Sequence, residues 1–326
     1  MSMEVSPSIY EHAAQLLGRT PWEVSRDGEL IYQAHAAAYD FYRQTPIMPG
    51  IDIYNLEPEA YGAVIDQPSG HNIPAIDRHP LSSAAELLKL SPLDPATAGR
   101  IPVQIDAAQR LAERFPEADI RVPVSGPFSI ASNLVGFDTL LMEAAFEPTM
   151  VAEAMVHLVD GQVRFAQGIN DAQLDVAFFE SAACPPMLSP QMFRQIELPA
   201  LKQIMGRIGA VVGHPIPCII GGNTAPIVEP MLETGTGYLV APFETDQVEF
   251  MARVAHRPDV RIRINMDLRI VASGTHAQIE AEADRVLAVA GDRLNVCLGT
   301  GALPYETNPQ NVRYLMEYVE RVTSNK

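Results

Sequence analysis

The chain has 326 residues, of which 47% are hydrophobic and 19% are charged, a composition typical of a globular protein with a large core. Its formal net charge of -17 argues against nucleic acid and anionic membranes as partners, because like charges repel. No uninterrupted apolar run of about 18 residues occurs, so no membrane span is expected. The first residues lack a signal peptide pattern, and the three cysteines are widely spaced. We therefore expect a cytoplasmic protein.

The first third of the chain predicts mostly helices. They lie at residues 8–18, 27–43, 82–90 and 101–114. Asp27 is a plausible N-cap for the second of them. A first strand is predicted at residues 47–54, and residues 66–80, rich in Pro and Gly, are predicted to form a long surface loop. Residues 1–45 are interpreted as a helical extension that precedes the sheet.

From residue 120 onward, short apolar strands alternate with helices. The predicted strands lie at residues 120–124, 174–179, 216–220, 237–241, 260–265 and 294–298. The predicted helices lie at residues 138–145, 148–168, 190–207, 225–234, 246–256, 276–290 and 309–322. This alternation is typical of a parallel sheet.

The number of βα units decides between two kinds of parallel sheet. Seven or eight units over this length favour a barrel over a doubly wound sheet. No GxGxxG follows the first predicted strand, so a dinucleotide-binding domain is not expected. We predict the α/β class, with residues 1–326 forming one (β/α)8 TIM barrel domain that carries the helical extension at residues 1–45.

Barrel sites lie at the carboxyl ends of the strands, so polar residues at those ends are candidates for a site. They are Asp52, Ser125, Glu180, Asn223, Asp267 and Thr300. Asp52 and Asp267 would equally suit caps, and Ser125 a local turn. Glu180 follows an apolar run, where a carboxylate needs a partner or a ligand. Asn223 follows two glycines, which allow a ligand to approach the main chain closely.

Several motifs, taken in their order along the chain, resemble those of the uroporphyrinogen decarboxylase superfamily. They are Ser125-Gly126-Pro127-Phe128, Leu188-Ser189-Pro190 with Phe193, Pro199 with Lys202, Gly222-Asn223-Thr224, Asn265 with Asp267, Ser273-Gly274-Thr275, Gly299 with Gly301, and Pro309 with Asn311. The resemblance implies a single (β/α)8 barrel. It also implies one of two activities, which are decarboxylation of uroporphyrinogen and methyl transfer from a corrinoid protein.

The decarboxylase activity is the less favoured of the two. The resemblance implies that a decarboxylase would carry an arginine-rich N-terminal pattern, and Arg19, Arg26 and Arg43 do not reproduce it. So few clustered arginines would poorly neutralise a substrate with eight carboxylates.

The methyltransferases that resemble this chain and act on thiols hold zinc with a His-x-Cys pair and a distant Cys. The matching positions here are Ile219, Gly221 and Thr300, none of which binds zinc. His214, Cys218 and Cys297 form a rival set of the right residue types. However, the first two are about 13 Å apart in an extended strand, and both cysteines fall inside predicted strands. No zinc is therefore expected.

The missing zinc ligands indicate which acceptor is used. A thiol needs zinc to become a thiolate at neutral pH, whereas N5 of tetrahydrofolate is a neutral amine that needs no metal. The resemblance thus implies a methyltransferase that moves a methyl group between a methyl-corrinoid protein and N5 of tetrahydrofolate, as in anaerobic demethylation of methyl ethers or methylamines.

The expected roles of the site residues follow from this reaction. Asn223 is expected to hydrogen-bond N5. Substrate contacts are assigned to Glu180, Asn265, Asp267, Asp52, Ser125 and Thr300. Cobalamin is expected on a separate corrinoid protein, because the chain has no Asp-x-His-x-x-Gly motif. A zinc-dependent methylcobamide:thiol methyltransferase, a uroporphyrinogen decarboxylase and a non-catalytic binder of a corrinoid or tetrapyrrole are the alternatives.

Overall fold

The structure is a computed structural model that describes residues 3–324. Its strands are β1 (Val5–Ser8), β2 (Val64–Asp66), β3 (Ala75–Arg78), β4 (Arg121–Ser125), β5 (Asp175–Phe179), β6 (Tyr238–Ala241), β7 (Arg261–Asn265) and β8 (Val296–Ala302). Its α-helices are α1 (Glu11–Leu16), α2 (Pro21–Ser25), α3 (Gly28–Tyr42), α4 (Leu56–Ala60), α5 (Ile101–Arg114), α6 (Pro127–Val135), α7 (Phe137–Phe146), α8 (Pro148–Asp171), α9 (Pro190–Met192), α10 (Leu198–Val212), α11 (Val228–Leu232), α12 (Gln247–Val254), α13 (Leu268–Ser273), α14 (His276–Ala290) and α15 (Pro309–Thr323). Short 3-10 turns at Ile53–Asn55, Ala84–Lys89 and Ala225–Ile227 and a π-helical turn at Phe193–Glu197 complete the elements.

Parallel strands follow one another around a barrel. β1 pairs with β8, β8 with β7, β7 with β6, and β4 with β5. Single parallel bridges connect these pieces, namely Ile47 with Ile120, Phe179 with Ile219, and Cys218 with Leu239. The order around the barrel is therefore β1, the segment at Ile47, β4, β5, the segment at Cys218, β6, β7 and β8. The predicted (β/α)8 barrel is confirmed.

The first barrel strand, β1, lies inside the region where the sequence predicted only helices. It is four residues long and contains Pro7, which has no N–H to donate to a neighbouring strand. The pairing with β8 accordingly shifts register between Ser6 and Ser8. So short and interrupted a strand lacks the apolar run by which strands are predicted. The predicted helices follow it, and the Asp27 side chain caps α3 as expected.

Three other segments differ from the prediction. The predicted strands at residues 47–54 and 216–220 form single bridges only, because Pro49 and Pro217 remove main-chain donors from them. Residues 66–80, predicted as a loop, include the end of β2 and all of β3, which pair antiparallel.

Side chains of the strands alternate between two environments. On β7, Ile262 and Ile264 are fully buried in the large core between barrel and helices. Arg263 and Asn265 point the other way, into the barrel. A smaller apolar cluster of Tyr10, Met48, Ile53, Ala177 and Phe179 fills part of the barrel interior. Among the described residues, no helix has both the length and the apolar character needed to cross a bilayer.

Candidate functional site

A cavity of about 220 Å³ lies at the carboxyl ends of the barrel strands. Part of its wall is aromatic, because the Phe179 ring meets the Tyr10 ring edge-on at 6.3 Å and the Tyr54 ring at 6.4 Å between centroids. The volume is below the roughly 300–1,000 Å³ of pockets for drug-sized ligands. The cavity therefore suits one small flat ring system better than a large ligand.

Arg263 brings a permanent positive charge into this cavity. Its side chain is buried, with only 4% of the residue exposed. Its Nη1 donates to Ser8 Oγ at 3.4 Å, and its buried Nε has no hydrogen-bond partner. Among residues 3–324, no carboxylate forms an ion pair with it. A buried charge without a counter-charge is costly, so this guanidinium is available for an electronegative group of a ligand.

Asn265 lies two residues beyond Arg263 on the same face of β7. Its main-chain oxygen accepts a hydrogen bond from Gln247 at 2.8 Å, but its buried side-chain Oδ1 has no donor. Gly299, opposite on β8, leaves room for both side chains. A Cβ at Gly299 would lie 2.6 Å from Arg263 Cδ and would overlap Asn265 Oδ1. The site thus places an unpaired donor beside an unpaired acceptor.

Glu11 adds a titratable carboxyl to the same cavity. Burial is the main cause that raises its pKa to about 7, and the nearby negative charge of Glu306 raises it further. Neither an ion pair nor a side-chain hydrogen bond to this carboxyl occurs within residues 3–324. The carboxyl is therefore free to exchange a proton with a bound ligand.

Asn223 lies at the rim and is exposed, and the two glycines before it line the cavity. Its Oδ1 accepts a hydrogen bond from Thr245 Oγ1 at 3.1 Å. Gly222 has φ +75°, and a Cβ there would lie 2.6 Å from Cys184 Sγ. The close approach of the Cys184 thiol therefore leaves room only for glycine at position 222. The main chain of this turn lines the cavity.

Glu180 is fully buried behind the cavity wall. It accepts hydrogen bonds from the N–H groups of Phe128 at 3.0 Å and Ser129 at 3.1 Å, and from Ser129 Oγ at 2.5 Å. A second buried carboxyl, that of Glu197, interacts with Glu180. The pKa of Glu197 is raised well above its usual range, first by burial and then by the Glu180 charge. Glu180 therefore has partners of its own at the start of α6, and it does not line the cavity.

Three further predicted residues do not line the cavity and are held by partners within the protein. Ser125 Oγ donates to the buried carboxyl of Glu57 at 3.0 Å. Thr300 Oγ1 accepts from the Ser8 N–H at 3.2 Å. Asp267 caps α13 and pairs with Arg269 at 2.8 Å, a hydrogen bond that lowers the pKa of Asp267. Of the predicted residues, only Asn265 lines the cavity.

Asp52 belongs to a buried ion-pair network. Both its oxygens accept hydrogen bonds from Arg100 at 2.8 Å, and Arg100 also donates to Glu59 at 2.5 Å. The side chain of Asp52 is 2% exposed and that of Arg100 is 12% exposed. This network ties the loop after Ile47 to the start of α5.

We expect Arg100→Ala to lower the free energy of unfolding by about 3 kcal/mol, because it removes the two charged hydrogen bonds to the buried Asp52 carboxylate and leaves Arg26, at 3.8 Å, as its counter-charge. Urea denaturation followed by circular dichroism measures this. If an Asp52→Asn variant had wild-type stability but no longer bound tetrahydrofolate, Asp52 would be a substrate-binding residue rather than a structural one.

The positions at which related methyltransferases hold zinc come together at the site. Ile219 and Gly221 line the cavity, and Thr300 precedes the lining residue Gly301. Their side chains offer no metal donor, so these residues do not fit a zinc ion. Across residues 3–324, no group of three or more His, Cys, Asp or Glu side chains is arranged to hold a metal.

The rival zinc set is not assembled either. His214 is half-exposed and lies 3.1 Å from Asp175. Cys218 is buried, and its burial raises the pKa of the thiol. Cys297 is also buried and contacts the Tyr238 hydroxyl at 3.8 Å.

Comparison with known proteins agrees with this architecture. The sequence model of the uroporphyrinogen decarboxylase (URO-D) family matches residues 5–322. The chain belongs to this family. Its barrel is similar to that of a methyltransferase from Methanosarcina mazei, with a TM-score of 0.83 and 19% identity over 98% of this chain and 94% of that chain. A β-glycosidase from Thermosphaera aggregans, at TM-score 0.52 and 10% identity over 98% of this chain and 96% of that one, shares the fold more distantly. A search of curated proteins finds no match.

Sequence reasoning missed Glu11 and Tyr54 of this URO-D family member, and it named Arg263 only with Lys202, Arg261 and Arg269 as basic residues for the glutamate tail of folate. Arg263 carried a signal, since β7 reads Arg-Ile-Arg-Ile-Asn and its strict alternation puts Arg263 and Asn265 on one face. Glu11 follows β1, which the sequence pattern did not predict, whereas Tyr54 ends the strand predicted at residues 47–54 but was not counted among the polar residues of its end.

Proposed function

We propose that this protein transfers a methyl group between a methyl-corrinoid protein and N5 of tetrahydrofolate. The observation that carries the proposal is the pair of unsatisfied groups on β7. Arg263 offers donors and Asn265 Oδ1 offers an acceptor at adjacent positions in a cavity of about 220 Å³. The pterin ring of tetrahydrofolate has the complementary edge, a ring carbonyl oxygen beside a ring N–H.

The choice of acceptor rests on the positions that hold zinc in thiol-directed relatives. Ile219 and Gly221 offer an apolar side chain and bare main chain at the cavity. A thiol substrate entering here would stay mostly protonated at neutral pH, since no metal would lower its pKa. An amine nucleophile already has its lone pair available, so it reacts without that assistance.

In this proposal, the ring edge binds Arg263 and Asn265, and the aromatic wall contacts the ring faces. Asn223 at the rim uses the second lone pair of Oδ1 to accept the N5 hydrogen, so that the N5 lone pair is directed outward. The N5–CH3 bond forms as the cobalt–carbon bond breaks, and both electrons stay on cobalt as cob(I)alamin. The rate gain comes mainly from holding N5 in line with the methyl group.

The methyl donor is proposed to be a separate corrinoid protein that docks over the mouth of the barrel. Two apolar side chains are exposed here, namely Ile73, which lines the cavity, and Phe243, which lies between the lining residues Pro242 and Glu244. Exposed apolar residues that surround a polar cavity suit a transient protein contact. The anaerobic demethylation of methyl ethers or methylamines is the setting in which such a transfer would operate.

The test is an anaerobic transfer assay with methylcobalamin, or the methylated corrinoid partner, and either tetrahydrofolate or a thiol. Cob(I)alamin is followed by its absorbance, and zinc is measured on the same sample. Transfer to tetrahydrofolate without stoichiometric zinc is the expected result. Thiol methylation with one zinc per chain would refute the proposal, and tight binding of cobalamin without any transfer would favour a non-catalytic binder.

We expect Asn223→Ala to lower the transfer rate by about 10- to 100-fold, because one hydrogen bond that orients N5 is lost. Asn295→Ala is the matched control. Asn295 is half-buried and its side chain makes one hydrogen bond, to the Asp259 carbonyl at 3.0 Å, but it lies before β8 at the opposite end of the barrel. Equal rates for the two variants would remove Asn223 from the mechanism.

A further inference from the structure

Methyl transfer to N5 leaves a proton that the groups assigned so far do not accept. N5 of tetrahydrofolate carries a hydrogen, and methylation makes this nitrogen positive until the hydrogen is lost as a proton. The reverse reaction needs the same proton returned to N5. An asparagine amide is neither a base nor an acid strong enough for this, and an arginine does not deprotonate in proteins. A titratable group at the cavity is therefore required.

The described residues bring few titratable groups to the cavity. Burial raises the pKa of Tyr54 to about 12 and that of Tyr10 well above its usual range, so both phenols stay neutral near pH 7. Arg263 keeps its charge. Two carboxyls line the cavity, and that of Glu244 belongs to an exposed residue at the mouth. The carboxyl of Glu11 is the more enclosed one.

The place of Glu11 in the fold keeps its carboxyl at the cavity. It is the first residue of α1 and comes three residues after Ser8, the last residue of β1. Tyr10, the residue before it, is buried and its ring packs against that of Phe179. This packing holds the main chain in place next to Glu11. Within residues 3–324 the Glu11 carboxyl forms no ion pair that would hold it as a structural counter-charge.

We propose that Glu11 is the acid–base group that takes the proton from N5 of tetrahydrofolate and returns it in the reverse reaction. This rests on the proposed function. After methyl transfer, the N5 proton leaves its hydrogen bond to Asn223 and passes through one water molecule to the Glu11 carboxylate, which becomes a carboxylic acid and then releases the proton to solvent. In the reverse direction the acid protonates N5 of methyltetrahydrofolate, which makes the amine a leaving group for cob(I)alamin.

The electrostatics around Glu11 suit this role. Burial first, and then the exposed Glu306, raise the pKa of Glu11 to about 7. Both the acid and the base are then present at neutral pH, which is the condition for efficient general acid–base catalysis. Of the other groups at this cavity, Arg263 is positive, Tyr10 and Tyr54 are neutral, and Glu244 is exposed to solvent.

The test measures demethylation of methyltetrahydrofolate by cob(I)alamin from about pH 5 to about pH 9, in the wild type, Glu11→Gln and Glu306→Gln. In the wild type the rate is expected to be high at low pH and to fall as pH rises through about 7, because the protonated acid is lost. Glu11→Gln is expected to be at least about 100-fold slower at low pH and to lack this inflection.

Glu306→Gln is the control variant. If the role of Glu11 were purely structural, this change would not shift the pH dependence of the rate. Removing the negative charge of Glu306 should move the inflection to lower pH and leave the rate on the low-pH side unchanged. Infrared spectroscopy gives a readout that does not depend on activity. The carboxyl band that is missing in Glu11→Gln should titrate with the same midpoint as the rate, and Glu306→Gln should shift both midpoints equally.

The outcomes separate the two proposals. If the wild type transfers the methyl group and Glu11→Gln shows the same pH profile, the role of Glu11 is overturned but the proposed function is not. A wild type that titrates Glu11 near neutral pH but transfers no methyl group to or from the folate at any pH would overturn the proposed function, and this role with it.

Discussion

Arg263→Met is expected to make the protein more stable and much less active. The buried guanidinium has a hydrogen bond to Ser8 Oγ at 3.4 Å, an unpaired Nε and no carboxylate partner among the described residues. Methionine has a similar length and fills the same space without a charge. Replacing buried charge by an apolar side chain is often stabilising, and we expect about 1–2 kcal/mol here. The same change removes the donor for the ring oxygen, so transfer should fall about 100-fold.

Urea denaturation and steady-state transfer rates on the same preparations measure both effects. Arg261→Met is the matched control, since Arg261 lies on the same strand but pairs with Glu4 at 2.7 Å and both side chains are about one-third exposed. That variant should lose at most about 1 kcal/mol and keep its transfer rate. If Arg263→Met lost stability instead, its charge would be a structural element and the binding argument would fail.

Gly299→Ala is expected to disable the site from the opposite strand. The added Cβ would lie 2.6 Å from Arg263 Cδ and 2.7 Å from Arg263 Cγ, and it would overlap Asn265 Oδ1. Both side chains line the cavity, so the added methyl group would push them into the space that the ligand needs. We expect a loss of about 1–3 kcal/mol in stability from overpacking. We also expect a loss of activity at least as large as that of Arg263→Met, since donor and acceptor are displaced together.

Gly237→Ala is the control for the general cost of adding a methyl group to a barrel glycine. Its Cβ would meet Pro215 at 3.6 Å, an ordinary contact. It should change stability and transfer little. A Gly299→Ala protein with wild-type binding of tetrahydrofolate would show that the ligand does not use the space between β7 and β8.

The barrel could be predicted from the sequence because its helices and most of its strands have strong periodic patterns. Predictions for residues 101–114 and 276–290 coincide with α5 and α14. β1 could not be predicted, since its pairing with β8 depends on contacts almost a whole chain length away. The rule that sites lie at strand ends led to a cavity in the expected place, but it did not select the side chains that line it.

The reason is that three of the polar residues at strand ends have partners that no local pattern reveals. Ser125 meets Glu57, Glu180 meets Ser129, and Asp52 meets Arg100, and each partner is distant in sequence. A sequence shows which residues need a partner, but not whether the fold supplies one. Arg263 is the converse case, because it is a charged residue in a buried strand to which residues 3–324 supply no counter-charge.

The pairing of β1 with β8 has a consequence for how the protein is made. Ser8 contacts both Thr300 and Arg263, so the cavity is complete only after the first and last strands have met. During synthesis on the ribosome, β1 therefore waits without its neighbour until nearly all of the chain has emerged. Contacts so distant in sequence form slowly. A ligand that binds only the closed barrel would draw late intermediates toward the finished fold, and its binding would report that barrel closure is complete.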